Sequence, residues 1–209
     1  MKLAFSNIAW DKSQDEEMYE LLNRYGFSGL EIAPTRLFPK EPYDHANEAK
    51  AWAENLQAKY SLSAISMQSI WYGRTEKIFG QAAERDVLVA YTKKAVDFAT
   101  AIGCGHLVFG CPKNRVLPHG GDANIAKTFF RAIAAYAAVH QVVIGLEANP
   151  PIYGTNYLNT TQEALSLVRE INSPGLGLNL DVGTMVENGE SVASLRGAVK
   201  FISHVHISE

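Results

Sequence analysis

Seven short apolar runs recur along the chain, separated by stretches of helical pattern. The runs are KLAFSNIAW (2–10), SGLEIA (28–33), SAISMQSI (63–70), HLVFGC (106–111), VVIGLEA (142–148), LGLNLD (176–181) and ISHVHIS (202–208). Between them lie DEEMYELLNRYGF (15–27), NEAKAWAENLQAKY (47–60), ERDVLVAYTKKAVDFATAIG (84–103), NIAKTFFRAIAAYAAVH (124–140), TTQEALSLVREI (160–171) and SVASLRGAVKF (191–201). Acids open the first helix, Gly26 stops it, and Thr160 or Thr161 caps the fifth. Strand–helix–strand alternation predicts parallel pairing with helical crossovers. No linker or composition break divides residues 1–209, so one domain is expected.

Parallel strands covered on both faces should be wholly apolar. These are not. With side chains alternating, Gly29 and Glu31 oppose Leu30 and Ile32. Val143, Gly145 and Glu147 oppose Ile144 and Leu146. Gly177, Asn179 and Asp181 oppose Leu178 and Leu180, and His204 and His206 oppose Val205 and Ile207. One face suits a helix layer; the other is small or polar, with acids at the carboxyl ends of strands. A closed barrel explains this, because one face lines a narrow interior whose carboxyl ends open onto a site. The fold expected is an α/β (β/α)8 TIM barrel. Only seven strands and six helices are legible, so the barrel reads as truncated after strand seven, with strand eight and the last helices outside the chain. Exposed edges at strands one and seven then predict self-association, that is, a homo-oligomer.

The composition excludes several classes. A net charge of -3 offers no basic surface for nucleic acid or for an anionic membrane. No apolar run is long enough to span a bilayer, and the N-terminus lacks the pattern of a secretory signal. Cys104 and Cys111 flank a single strand and stand roughly 23 Å apart in extended chain, too far to pair. Two unpaired thiols suit a reducing, cytoplasmic location.

Glu147, Asp181 and His206 share one parity at the ends of strands five to seven. Two carboxylates and an imidazole form a hard, oxygen-rich donor set, which suits Mn2+, Mg2+ or Co2+ better than Zn2+. The stretches VVIGLEANP, LGLNLDVG and ISHVHISE resemble the strand-end motifs of the xylose isomerase-like TIM barrels. The resemblance runs in element order from NIAW to HVHISE. It implies that Glu147, Asp181 and His206 are metal ligands, that a fourth glutamate ends strand eight, and that the substrate chelates the ion through neighbouring oxygens. An ion holding a carbonyl and an adjacent hydroxyl acidifies the C–H between them and stabilises the enediolate. Glu147 is then an acid/base as well as a ligand. The activity expected is a sugar or sugar phosphate isomerase or epimerase. An inosose-type dehydratase on the same site is the alternative, and a non-catalytic carbohydrate-binding barrel is another. The multi-zinc nucleases of the superfamily do not fit. Thr184 stands where a histidine commonly follows the strand-six aspartate, and the ends of strands three and four offer no histidine.

Other residues are candidates for the substrate side. Glu31 is either a carboxylate facing substrate or a support behind it. His204 reads as a core histidine. Trp10 and Trp71 are either rim packing or aromatic platforms for a sugar. Gln68 and Thr184 offer polar contacts to hydroxyls, and Asn149 either orients Glu147 or touches a hydroxyl. Lys113 and Arg115 either bind an anionic group of the substrate or are solvated loop charges.

Overall fold

The structure, a computed structural model, describes residues 2–208. Its strands are β1 (Ala4–Ser6), β2 (Gly29–Ile32), β3 (Ser63–Met67), β4 (His106–Phe109), β5 (Val143–Glu147), β6 (Leu176–Asp181) and β7 (Ile202–His206). They form one sheet in sequential order, each parallel to its neighbours. In a flat sheet β2 and β7 would lie about 24 Å apart, at 4.8 Å per strand. Here Glu31 of β2 touches His206 of β7 at 2.9 Å, so the sheet is curled around a common interior. This is the architecture of a (β/α) TIM barrel. Among the described residues no pairing joins β1 to β7.

The helices follow local signals. They are α1 (Asp15–Arg24), α2 (Pro34–Leu37), α3 (Ala46–Tyr60), α4 (Ala82–Ala101), α5 (Asn124–Val139), α6 (Thr161–Ile171) and α7 (Val182–Glu187). Thr160 caps α6: its hydroxyl accepts from the Glu163 amide, and the Glu163 carboxylate returns to the Thr160 amide. Asn172 ends the same helix in the left-handed region. The apolar faces of the strands pack under the helices: Leu30, Ile32, Ile144, Leu146 and Leu178 join Phe98, Phe130 and Val168 in one core. Each fully buried side chain of this kind contributes about 1.5–3 kcal/mol relative to exposure.

The expected helix over 191–201 is absent. That segment holds two short 3-10 turns, Val192–Leu195 and Val199–Phe201. Gly197 lies between them at φ +77°, which no helix accommodates. Two short helices were not expected from pattern, α2 and α7; each directly follows a strand end and carries too few residues to show a period.

Two register shifts adjust the interior. Leu30 pairs with Ala64 but Glu31 with Ser66. Leu178 pairs with Ile202 but Asn179 with His204, so Ser203 is an extra residue in β7. Such a bulge re-aims side chains. Ser203 Oγ reaches His106 at 3.1 Å while the next residue, His204, also reaches the interior, 3.7 Å from Glu31.

Candidate functional site

The glycines of the inner face make room for polar side chains. A Cβ on Gly145 would stand 2.4 Å from His106 Nε2, and one on Gly177 would stand 2.5 Å from Ser203 Oγ. Into that space project His106, Asn179, His204 and His206, from three strands.

His206 is the centre of the site. Its Nε2 lies 2.9 Å from Glu31 Oε2 and its Nδ1 lies 2.9 Å from Glu147 Oε1. Burial opposes charge on His206, but the hydrogen bonds and charges of Glu147 and Glu31 outweigh it and raise its pKa to about 10. Burial pushes Glu31 up, yet His206, Ser66 and His204 together hold it below the ordinary carboxylate value. Gln68 Nε2 donates to Glu31 Oε1 at 3.0 Å and to Ser6 Oγ at 2.5 Å, tying three strand ends together. Glu147 accepts from Asn179 Nδ2 at 2.6 Å on Oε1 and from Asn149 Nδ2 at 3.3 Å on Oε2. Asn179 Oδ1 is buried beside it with no hydrogen-bond partner among the described residues.

Behind His206 stands a column of imidazoles. His204 packs edge-on to His206, and His106 stacks on His204 with centroids 4.7 Å apart. His106 is held between Ser66 Oγ on Nδ1 and Ser203 Oγ on Nε2. Burial, with His204 and His206 beside it, lowers the His106 pKa to about 3, so it is neutral. Burial lowers His204 as well, against the pull of Glu31. His106, the one polar residue of β4, went unnoticed in the sequence.

The donors brought closest together differ from the expected three. Among the described residues, Glu31, His204 and His206 place one ligand atom each within 4.8 Å of one another. His204 was expected to be a core residue, and Glu31 to face or support substrate. Asp181 pairs with His206 in register, but its carboxylate is engaged elsewhere. Oδ1 accepts from the Gly183 amide at 2.9 Å and from Ser208 Oγ at 2.5 Å; Oδ2 accepts from Thr184 Oγ1 at 3.2 Å. Asp181 thus caps α7. An oxygen and imidazole donor set without thiolate, at these spacings, fits a divalent cation.

Several expected substrate contacts are placed elsewhere. Trp71 is buried in the core, edge-on to Phe109, with Nε1 donating to Thr92; it offers no platform. Trp10 is half-buried, its indole bonded to Asp15 and covered by Arg36. Thr184 is buried, its hydroxyl 3.2 Å from both Ala148 O and Asp181 Oδ2, with one proton to share between them. Arg115 is 0% exposed, neither a solvated loop charge nor open to an anion. Its guanidinium holds Glu147 O, Leu158 O and Asn149 Oδ1, because backbone acceptors at two loop starts converge on it. Lys113 is exposed, and its carbonyl accepts from Lys77 Nζ. Cys104 and Cys111 are both free.

A cavity of about 400 Å³ opens at the other end of the sheet, near Val143, Leu176, Ile202 and Lys200. Its lining carries no acid or imidazole. No helix among the described residues is long and apolar enough to cross a membrane.

Known proteins share this fold. A ketose 3-epimerase of Arthrobacter globiformis is 36% identical over 123 residues, 56% of this chain; the match spans 42% of that relative's length. D-psicose 3-epimerase from Clostridium cellulolyticum H10, solved with D-tagatose, superposes with a TM-score of 0.77 at 20% identity, covering all of this chain and 73% of that one. The apo 3-keto-D-glucoside 4-epimerase of E. coli superposes with a TM-score of 0.76 at 19% identity, over all of this chain and 79% of that one. With residues 19–209 matching its family model, the chain belongs to the xylose isomerase-like TIM barrel family.

Proposed function

We propose that this chain carries the catalytic site of a divalent-metal-dependent epimerase or isomerase acting on a ketose-type sugar or sugar phosphate, within a single barrel domain. The observation that carries this reading is His206 held between two carboxylates, Glu31 and Glu147, at the open end of the sheet. The ketose 3-epimerase relative supports the substrate class. His206 would hold the ion, with Glu31 and His204 beside one ring nitrogen and Glu147 at the other; Asp181 would have to leave its cap on α7 to join them. A bound divalent ion supplies Lewis acidity that acidifies a C–H next to a carbonyl.

Glu147 is the proton-moving group in this reading. Two amide donors, from Asn149 and Asn179, orient its carboxylate. It takes the proton from the carbon beside the carbonyl, and the electron pair left behind shifts toward the carbonyl oxygen. Return of a proton to the same carbon from the opposite face, by the glutamate that the resemblance implies at the end of strand eight, would give the epimer; return of the proton by Glu147 to the neighbouring carbon, with the hydroxyl proton passing to the first oxygen, would give the isomer. Gln68 and Glu31 line the side where hydroxyls would be read. The buried imidazole column keeps bulk water out from below.

The test is incubation with a panel of ketoses and ketose phosphates in D2O, with Mn2+, Mg2+ or Co2+ added, followed by NMR and mass spectrometry. Deuterium at one C–H with an epimeric or isomeric product is expected. Loss of water from the product would move the assignment to a dehydratase. Sugar binding that is indifferent to chelator, with no exchange, would overturn the catalytic reading.

A further inference from the structure

We propose that Arg115 is a positioning residue for Glu147, acting through the side-chain amide of Asn149. The inference rests on the reading of Glu147 as the proton-moving group.

Arg115 is an unusual side chain. It is fully buried, and among the described residues its guanidinium is met only by neutral acceptors. Burying a cation without a carboxylate partner is costly, and its Nε has no hydrogen-bond partner among the described residues. What it gains is geometric. Nη1 donates to the backbone carbonyl of Glu147 at 2.9 Å, and Nη2 donates to Asn149 Oδ1 at 2.8 Å and to Leu158 O at 3.3 Å. One planar fork therefore spans the end of β5 and both sides of the loop that follows it.

The contact with Asn149 has a directional consequence. A guanidinium has donors and no acceptor, so Asn149 can present only its oxygen to Arg115. That turns the amide nitrogen toward Glu147, where Nδ2 lies 3.3 Å from Oε2. The reversed amide would set N–H against N–H and oxygen against carboxylate. The Asn149 backbone is pinned as well: its amide donates to Leu158 O, and its carbonyl accepts from Asn159 Nδ2. Amide rotation is then the freedom that remains, and Arg115 removes it. Gly110 encloses the arrangement. A Cβ there would stand 2.9 Å from Glu147 Oε2 and 3.4 Å from Asn149 Oδ1, so this glycine lets the carboxylate and the amide lie side by side under the β4 strand end.

The decisive variant is Asn149→Asp. It preserves size and gives Arg115 a charged partner, so the melting temperature should not fall. It also removes the N–H that meets Glu147 and puts an oxygen in its place. The turnover number with whichever ketose of the panel is turned over should fall by about ten- to a hundredfold, the range for losing a group that orients a reacting residue, with KM changed less than about threefold. Arg115→Lys keeps the charge but not the fork and should lower turnover by a similar factor. A second readout needs no substrate. The Asn149 side-chain amide resonance, assigned by its absence in Asn149→Asp, should exchange slowly in the wild type and rapidly in Arg115→Lys. If Arg115→Lys does not fold, Asn149→Asp and wild-type exchange decide. Unchanged turnover in Asn149→Asp, or a freely exchanging Asn149 amide in the wild type, overturns the proposal. If the wild type turns over no ketose, the reading of Glu147 fails, while the amide exchange still reports whether Arg115 positions Asn149.

Discussion

His206 and Glu31 meet Nε2 to Oε2 at 2.9 Å although 175 positions separate them in the chain. They come from β7 and β2, which only the curl of the sheet brings together. The same imidazole reaches Glu147 through its other nitrogen, so one side chain connects opposite walls of the barrel.

Replacing Glu147 with Gln keeps the bulk and the Asn149 and Asn179 neighbours but removes the base. Turnover and solvent deuterium exchange should both fall by about 10²- to 10⁴-fold, the usual contribution of a positioned acid/base. Exchange at the wild-type rate would remove Glu147 from the proton-moving role.

Whether Asp181 joins the ion is tested by Asp181→Asn. Asn caps a helix about as well as Asp, so the melting temperature should stay within about 2 °C. Mn2+ affinity, measured by calorimetry, should fall about tenfold or more. Unchanged affinity would leave Asp181 as the cap of α7 and remove it from the ligand set.

Stability should peak near neutral pH and fall on both sides. His106 has its pKa lowered to about 3 in the folded protein, against about 6.5 unfolded. The unfolded chain therefore binds the extra proton first, and this contribution is lost as pH falls from about 6.5 toward 3. Glu31, also lowered, loses its contribution on the same acid side. His206 is raised to about 10; its contribution is complete below about 6.5 and disappears as pH rises through 10. Melting temperatures recorded from pH 4 to pH 10 should show both limbs. His106→Gln should flatten the acid limb, by up to about 1.4 kcal/mol per pH unit for one proton. An unchanged acid limb would show that His106 is not buried neutral.

Gly145→Ala tests the packing of the imidazole column. The new methyl would lie 2.4 Å from His106 Nε2 and 3.1 Å from the Asn179 Cβ. Overpacking of this kind costs about 1–3 kcal/mol. Chemical denaturation should show that loss, and a second change, His106→Ala, should recover part of it. Additive losses would place His106 away from Gly145.

Much of the fold was legible because β-structure has a period of two. The alternation in GLEI, VIGLE and LGLNLD assigned Glu31, Glu147 and Asn179 to one face, and acids at strand ends marked the open end of the barrel. Local chemistry was equally readable at Thr160, whose capping box needs only residues three apart. The 191–201 segment was misread because its apolar spacing suits a helix, while Gly197 breaks it at a backbone angle that periodicity does not register.

The sequence by itself determined which face each side chain takes, since that depends on neighbours one or two residues away. It could not determine which strand ends touch. Barrel curvature brings Glu31 to His206, the bulge at Ser203 helps carry His204 into the donor cluster, and helix capping draws the Asp181 carboxylate toward Gly183. Arg115 and Trp71 looked like loop and rim residues, yet both are buried, because acceptors or aromatic rings from segments distant in sequence close around them. Parity is a property of one strand; burial and convergence belong to the closed surface, and only tertiary packing decides them.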